Sequence, residues 1–237
     1  MIHLKTINFN HMRTIKKLLV VFLLLVTLYL LTGYVLGVVD DQGKIPDISG
    51  YFQSGDTFRS DAEGLTQRVI RQENGKVFCD VILDPYAPGP PKHIHTGFDE
   101  TFKSGEKGLF VLVDNDTLYI KPFDSYTIKK GIPHKPFNPT GDTILLSMNE
   151  WGFPEEFAFG LIQMYGFMDQ KSLDDRTMGE ILLQLSLFSK YFDSWGTEKV
   201  PPPALQKVIF FFLNPMARIK GMKSYYHDFG LQRTGNT

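Results

Sequence analysis

The longest apolar stretch of the chain lies near its N-terminus. No residue from Leu18 to Val39 carries a charge, and nearly all of them are Leu, Val, Phe, Tyr or Gly. A helix of this length spans about 33 Å at 1.5 Å per residue, whereas the hydrocarbon core of a bilayer is about 30 Å thick. We therefore predict a transmembrane helix over residues 18–39.

The charges that flank this stretch predict its orientation. Cations precede it and mainly acids follow it: Lys5, Arg13, Lys16 and Lys17 before, and Asp40, Asp41 and Asp47 after, with a lone Lys44. The positive-inside rule then makes residues 1–17 a cytoplasmic N-terminus and leaves the following chain extracytoplasmic. A cleaved signal peptide is the alternative. The apolar run exceeds an h-region of about 7–15 residues and no A-x-A-like site follows, which favours an uncleaved anchor.

The pattern changes twice after the apolar stretch. Residues 40–64 are rich in Asp, Gly and Ser and show no clear period, so we predict a tether. From Leu65 to about Asn149, short alternating runs are separated by turn residues, of which Asn74-Gly75 is the strongest hairpin signal. Short strands with no helix between them indicate one antiparallel barrel or sandwich, with its domain over residues 65–150.

Residues 151–237 are predicted to be a helical segment. Pro154-Glu155-Glu156 is typical of a helix start, residues 176–191 carry apolar side chains at helical intervals, and Pro201-Pro202-Pro203 precedes a third helix from Ala204. An aromatic set in the first helix is expected to pack in the core or, alternatively, to line a substrate pocket: Phe157, Phe159, Tyr165 and Phe167.

The last predicted helix contains the apolar run from Val208 to Leu213, followed by the cations Arg218, Lys220 and Lys223. The run is too short to span a bilayer. Either this helix packs on the outer face of the barrel, which uninterrupted apolar runs favour, or it enters the bilayer interface with its cations near lipid headgroups.

Composition excludes some functions. The formal net charge is −1 and the chain has no run of Lys and Arg, so nothing indicates a nucleic-acid partner. Cys79 is the single cysteine, which rules out an intramolecular disulfide. It lies in an alternating run, where a free cysteine usually behaves as a small buried apolar residue.

Three histidines and a glutamate provide candidate metal ligands. His93 and His95 are two residues apart on a predicted strand, so their imidazoles project from the same face. Glu100 follows after a turn, and His134 lies in a later hairpin that a closed barrel could bring opposite. Imidazole and carboxylate ligands on one side of a metal leave positions open for a substrate or dioxygen. Asp99 is an alternative carboxylate ligand.

These residues carry a resemblance to the cupin superfamily. His93, His95 and Glu100 match its first motif, H-x-H followed by three or four residues and Glu. Gly131, His134 and Asn138 fall at the offsets of its second motif, P-x-G-x-x-H-x-x-x-N, although Lys129 replaces the Pro and Phe123 the opening Gly. The resemblance implies a mainly β fold: a single antiparallel β-barrel of jelly-roll type, here with C-terminal α-helices and an N-terminal transmembrane helix.

The resemblance implies a divalent metal held by His93, His95, Glu100 and His134, with iron, manganese, nickel, zinc and copper all compatible. A metalloenzyme acting on a small organic molecule is one expectation. A non-catalytic module that binds a sugar or an aromatic molecule, or a structural metal site, is the alternative, because fold alone does not settle function. The resemblance also makes a homodimer plausible. The sequence assigns no catalytic or substrate-binding residue.

Overall fold

The computed structural model describes residues 9–39, 46–147, 150–170 and 176–233. Predictions that concern the remaining residues lie outside the described part of the chain. They include residues 1–8 of the predicted cytoplasmic segment and residues 40–45 of the predicted tether.

The β region consists of short strands that pair antiparallel throughout the described residues. Their bounds are β1 (Thr57–Ser60), β2 (Leu65–Glu73), β3 (Lys76–Leu83), β4 (His93–Ile94), β5 (Glu100–Lys103), β6 (Leu109–Val113), β7 (Asp116–Ile120), β8 (Ser125–Ile128), β9 (His134–Phe137), β10 (Ile144–Ser147), β11 (Phe153–Pro154) and β12 (Trp195–Gly196). The predicted turn at Asn74-Gly75 joins β2 to β3, and both of its residues have positive φ, as a tight hairpin turn requires.

The strands form two larger sheets and one hairpin-like pair. The first sheet has the order β1-β2-β3-β10, with β11 also paired to β3, and the second has the order β12-β4-β9-β6-β7. Strands β5 and β8 pair with each other, and a bridge from Ser104 to Leu146 connects this pair to the first sheet. The predicted mainly β, antiparallel fold with C-terminal helices is confirmed. Hydrogen bonds between the described strands trace these sheets rather than one continuous closed barrel.

The core lies between the sheets. Inward positions of β2, β3, β6 and β10 bring large apolar side chains together, and Leu83, Leu109 and Ile144 are almost completely buried. Cys79 belongs to the same cluster, as predicted, and is fully buried. Apolar burial at about 25 cal/mol per Å² makes this cluster the main source of the domain's stability.

Part of the predicted tether belongs to the folded domain. Strand β1 pairs with β2, and Ile48, Phe52 and Phe58 are buried in the core. This strand was not predicted from the sequence, because its apolar positions are few and are surrounded by Asp, Gly and Ser. The other predicted domain boundaries stay predictions.

Four helices complete the described part of the chain: α1 (Phe9–Val39), α2 (Glu155–Asp169), α3 (Met178–Phe188) and α4 (Pro203–Ile219). Thr177 and Glu180 form a capping box at the start of α3, which satisfies backbone N–H groups that the helix itself leaves without partners. Helix α2 packs on the first sheet through Phe157, Phe159 and Ile162. Helix α1 includes the predicted span and, by length and composition, can cross a membrane.

Helix α4 lies between α3 and α1. Phe210 and Ala217 are buried against α3 and β12, in clusters that contain Trp195 and Leu187. On another side, the Tyr29 hydroxyl of α1 donates a hydrogen bond of 2.6 Å to the carbonyl of Phe212. The C-terminal half of α1 is therefore in contact with the folded domain.

Candidate metal centre

The four predicted ligands converge at the middle of the second sheet. His93 begins β4 and His134 begins β9, and the two residues are directly opposite each other in the antiparallel pair. His95 follows β4, and Glu100 is the first residue of β5. One nitrogen or oxygen of each side chain lies within 4.8 Å of those of the other three. The structure thus brings together residues that are up to 41 positions apart in sequence.

Glu100 lies at the centre of the group. Its Oε2 atom is 2.7 Å from His134 Nε2 and 3.2 Å from His95 Nε2. The His93 and His134 rings are 4.5 Å apart between centroids, and the His93 and His95 rings 4.9 Å. All three histidines are buried.

The other nitrogen of each imidazole is held by a backbone carbonyl. His93 Nδ1 lies 2.9 Å from the oxygen of Pro91, His134 Nδ1 lies 2.9 Å from that of Ile132, and His95 Nδ1 lies 2.5 Å from that of Asp193. A carbonyl oxygen can only accept a hydrogen bond, so each Nδ1 carries a hydrogen. In the neutral imidazoles, each Nε2 then presents its lone pair, which is the arrangement of metal-ligating histidines.

In this arrangement, hydrogen-bond acceptors of the histidines face a hydrogen-bond acceptor of Glu100. In the neutral state, the lone pairs of His95 Nε2 and His134 Nε2 both point toward the carboxylate oxygen of Glu100. Such a group is stable only with a cation or a proton between the atoms. The residues present therefore fit a divalent metal with nitrogen and oxygen ligands.

The pKa values of the four residues reflect the same crowding. Burial, followed by the neighbouring His95 and His134, lowers the pKa of His93 to about 3. Burial also acts to raise the pKa of Glu100, but hydrogen bonds from His134 and His95 outweigh it and hold the pKa well below its usual value. For His134, burial lowers the pKa, but Glu100 outweighs it, so the net shift is upward. Glu100 therefore favours the protonated form of His134.

Asp193 connects the centre to the C-terminal segment. Its carboxylate accepts hydrogen bonds from the backbone N–H groups of Thr96 and Gly97, at 2.8 and 2.7 Å, and from the Thr96 hydroxyl. The Trp195 indole donates to the same carboxylate at 2.7 Å. Since Asp193 also holds His95 through its carbonyl, it fixes both the ring and the loop that follows it.

Aromatic rings enclose the imidazoles. Phe98 stacks on His95 at 4.3 Å, and Phe157 of α2 meets the same ring edge-on at 5.0 Å. Phe102 lies edge-on to His134 at 6.2 Å. These rings exclude water from one side of the centre and restrict the imidazoles to a narrow range of orientations.

Gly131 and Asn138 of the second motif organise the loops around the centre. Gly131 has a φ of 82° and donates its backbone N–H to the carbonyl of His95 at 2.8 Å, so the positive φ favours glycine here. The Asn138 amide donates to the carbonyls of Asp84 and Asp142. Asp99, the alternative ligand, bonds to Lys129 and Lys130 and lies outside the cluster.

A cavity of 240 Å³ adjoins the centre and reaches it at His93 and Glu100. Its walls are mostly apolar and include Phe157 and Leu185 from the C-terminal helices. The four aromatic residues predicted in α2, Phe157, Phe159, Tyr165 and Phe167, are all buried in the core. Two of them, Phe157 and Tyr165, also line the cavity. Core packing of the set is thus confirmed, whereas a substrate in the cavity stays a prediction.

Two polar residues of the cavity wall, Glu63 and Gln67, were not predicted from the sequence, and neither was Asp193. Gln67 has a recognisable signal, because it occupies an inward position of β2 between the buried Leu65 and Val69. Glu63 lies within the predicted tether of residues 40–64 and Asp193 follows α3, and neither lies in a pattern that reveals its position. Only the packing of distant segments brings them to the site.

No family model matches the chain, and no curated protein matches it. Solved structures that align with part of it include a sugar phosphate isomerase from a cupin superfamily, of Silicibacter pomeroyi, at 20% identity over 38% of this chain and 62% of that one, with a TM-score of 0.32. A cupin-2 domain containing protein from Shewanella frigidimarina aligns at 25% identity over 34% of this chain and 74% of that one, with a TM-score of 0.30. KdgF from a Halomonas species aligns at 16% identity over 40% of this chain and 88% of that one, with a TM-score of 0.32.

TM-scores of this size carry no argument about the fold or the activity of this chain. The cupin resemblance depends instead on the two motifs, on the antiparallel sheets that bear them and on the convergence of His93, His95, Glu100 and His134. These features match the antiparallel fold and the ligand set that the cupin resemblance implies.

Proposed function

We propose that this protein is a membrane-anchored metalloenzyme of the cupin kind. Its divalent metal is held by His93, His95, Glu100 and His134, and its substrate is a small, largely apolar organic molecule in the adjoining cavity. The observation that carries the metal is the convergence of two imidazole Nε2 atoms on one carboxylate oxygen, with each Nδ1 bound to a carbonyl.

The cavity supports the substrate class. Its lining is mainly aliphatic and aromatic, and its 240 Å³ suits a small molecule rather than a polymer. When bound, the metal would supply a Lewis acid or an oxygen-binding centre. The histidine Nδ1 bonds would keep the ligands oriented, and the rings of Phe98 and Phe157 would exclude water from the reacting molecule.

Metal analysis of the full-length protein tests the centre. The protein is purified in detergent without chelator and without an affinity metal, in parallel with a His93→Ala/His95→Ala variant. His227→Ala is the matched control, since His227 is exposed and contacts Tyr225, far from the ligands in sequence. We expect about one metal per chain in the wild type and in the control, and at least a roughly tenfold loss in the double variant.

Metal content that is equal in all three proteins, or absent from the wild type, would refute the metal centre. If the metal binds, its identity separates the functions that remain. Iron, manganese or nickel with an exchangeable water supports the enzyme, whereas zinc without exchangeable water supports a structural metal. Ligand binding without turnover supports a non-catalytic module.

We also infer that α1 is an uncleaved membrane anchor with a cytoplasmic N-terminus. The contact of α1 with the folded domain supports an uncleaved helix, because Tyr29 bonds to α4 and Gly33 lies against Pro215. A signal peptide that is removed would have no reason to fit the mature domain in this way. The cations before the apolar stretch support the orientation. The intact mass of the protein from isolated membranes tests this inference: loss of residues 1–39 would disprove it. The homodimer stays a prediction.

A further inference from the structure

The cavity wall has one polar patch, formed by Glu63, Gln67 and Tyr165. These side chains lie on different elements, namely the loop before β2, β2 itself and α2, and all three line the cavity. They are 7%, 4% and 3% exposed, so bulk water cannot supply hydrogen bonds to their polar atoms. The remaining wall is mostly apolar, apart from the candidate ligands His93 and Glu100 and from Lys92 and Ser194.

Within this patch a polar atom lacks a partner. The Oε1 atom of Gln67 is buried and has no hydrogen bond. A buried acceptor without a partner is costly, and native proteins retain such groups mainly where a ligand or an ordered water completes them. Burial, followed by the charge of Asp169, raises the pKa of Glu63 to about 7. Glu63 can therefore either donate or accept a hydrogen bond near neutral pH.

We propose that Glu63, Gln67 and Tyr165 form a subsite that binds a hydroxyl group of an otherwise apolar small molecule. A hydroxyl donates to Gln67 Oε1 and can exchange hydrogen bonds with Glu63 and Tyr165, whereas the apolar body fits the aliphatic and aromatic wall. The inference deepens the proposed function, because it names a feature of the ligand in the same cavity.

A pair of probes that differ in one donor tests the subsite. Binding of 4-propylphenol and of its methyl ether, 4-propylanisole, is measured by saturation-transfer NMR on the full-length protein in lipid nanodiscs, with empty nanodiscs subtracted. We expect the phenol to bind at least roughly tenfold tighter. Gln67→Leu and Tyr165→Phe should reduce this preference to less than about threefold, whereas Gln53→Leu, at an exposed glutamine outside the cavity, should keep it.

Equal affinity for the two probes in the wild type, or no binding of either, would overturn the subsite. A preference that survives both cavity substitutions would also overturn it. Metal content measured on the same samples keeps the two proposals apart. Metal without a probe preference leaves the metal centre intact and removes the subsite, whereas a preference without metal supports the subsite in a ligand-binding module.

A different observation concerns the outer face of α4. Five apolar residues follow one another at spacings of three and four and are 39–52% exposed: Leu205, Val208, Phe212, Met216 and Ile219. This spacing places them on one side of the helix. The opposite side is already occupied by α3 and Trp195. The stripe therefore forms a continuous apolar surface that the described part of the chain does not cover.

Helix α1 packs on a neighbouring side of α4, and this contact indicates the surroundings of the stripe. Gly33 and Gly37 of α1 are separated by three residues, and both lie against α4. A Cβ atom on Gly33 would be 2.4 Å from Pro215 Cβ, and one on Gly37 would be 3.0 Å from Arg218 Cζ. Small residues at this spacing are typical of helices that pack closely within a bilayer.

The contact between α1 and α4 also determines how deep α4 would lie in a bilayer. Tyr29, Gly33 and Gly37 belong to the C-terminal half of the apolar helix α1, whose outer surface is exposed along its length. A neighbour of that half lies at the level of the leaflet through which α1 leaves the membrane. The stripe on α4 is thus continuous with the lipid-facing surface of α1.

We infer that α4 is embedded in that leaflet, with its apolar stripe in contact with lipid acyl chains. This inference rests on α1 being a membrane helix. The metal domain would then lie directly on the bilayer surface. Phe210 of α4 packs on Trp195 of β12. Strand β12 in turn pairs with β4, where Gly196 is opposite His93.

Fluorescence quenching tests the depth of α4 in the full-length protein. Single cysteines at Val208→Cys and Phe212→Cys are labelled with the polarity-sensitive fluorophore NBD and reconstituted into phosphatidylcholine–phosphatidylglycerol vesicles. Cys79 does not interfere, because it is fully buried and burial raises the pKa of its thiol. Leu24→Cys on α1 marks the hydrocarbon, and Tyr119→Cys on β7 marks exposed protein surface.

We expect nitroxide-labelled acyl chains to quench positions 208, 212 and 24, and aqueous iodide to quench position 119. Iodide quenching at 208 and 212, with lipid quenching at 24, would overturn the inference for α4 and leave the anchor intact. Iodide quenching at position 24 as well would overturn both the anchor and the inference that rests on it.

Discussion

At the scale of single residues, His95 shows how the centre is kept in order. Its Nδ1 is bound by the carbonyl of Asp193, Phe98 stacks on one face and Phe157 meets its edge. A ring held in this way loses little freedom when Nε2 binds a metal. Metal affinity should therefore depend on residues that do not touch the metal.

Asp193→Ala should weaken metal binding roughly tenfold to a hundredfold, since Thr96 and Gly97 lose the carboxylate that fixes the loop after His95. Competition with a chelator of known affinity measures the change, and circular dichroism verifies the fold. Asp99→Ala is the control, because Asp99 pairs with Lys129 outside the centre. Equal affinity in the two variants would show that Asp193 does not position the ligands.

Glu63 should make stability depend on pH. Its pKa in the folded protein is about 7, against an ordinary value of 4.5, so folding binds a proton between these limits. Its contribution therefore falls as pH rises through this window, by up to about 3 kcal/mol at about 1.4 kcal/mol per pKa unit. Denaturant unfolding with excess chelator should show that the advantage of Glu63→Gln over the wild type increases from pH 5 to pH 8. Glu106→Gln, at an exposed site, should show no such increase.

At the scale of elements, the α1–α4 pair depends on small residues. Gly33 is buried against Pro215, and any larger side chain there must displace one of the helices. The consequence extends beyond α1, because α4 also packs on α3, which carries part of the cavity wall.

Gly33→Leu should destabilise the full-length protein in detergent by roughly 1–3 kcal/mol, as overpacking of a close interface does. Hydrogen exchange should become faster across residues 203–219. Val35→Leu adds apolar volume on the exposed side of α1 and should change neither quantity. Unchanged exchange in the Gly33 variant would mean that α4 is not held by α1.

At the scale of the whole molecule, the centre joins parts of the chain that are distant in sequence. Its candidate ligands come from residues 93–134, whereas its support comes from Asp193 and Phe157 in the C-terminal segment. A metal bound to the folded state alone stabilises all of these contacts at once.

Removal of the metal should lower the Tm, and added metal should restore it in proportion to the logarithm of its free concentration. The gain is about 2.7 kcal/mol at a concentration of one hundred times the Kd. Because the pKa of His134 is raised, protons compete for its Nε2 near neutral pH, and the gain should be larger at pH 8 than at pH 6. His134→Ala should show little metal-dependent shift; a full shift in that variant would place the metal elsewhere.

Much of the fold and the ligand set follows from local pattern. The uncharged run at 18–39 and the turn at Asn74-Gly75 each depend on residues close together in the chain, so their outcome is visible in sequence. The spacing of His93, His95, Glu100 and His134 likewise identified the candidate ligands before any geometry was known.

The rest was decided by tertiary contacts. Strand β1 forms because β2 offers an edge and the core accepts Phe58, not because its own residues demand a strand. Glu63, Gln67 and Asp193 acquire their roles only when separate segments meet around one cavity. The sequence by itself determined the hairpin at Asn74-Gly75, the long apolar helix and the candidate ligands, whose signals are periodic or short-range. The tertiary structure alone decided the cavity, its polar patch and the pairing of α4 with α1, since these depend on contacts between residues far apart in the chain.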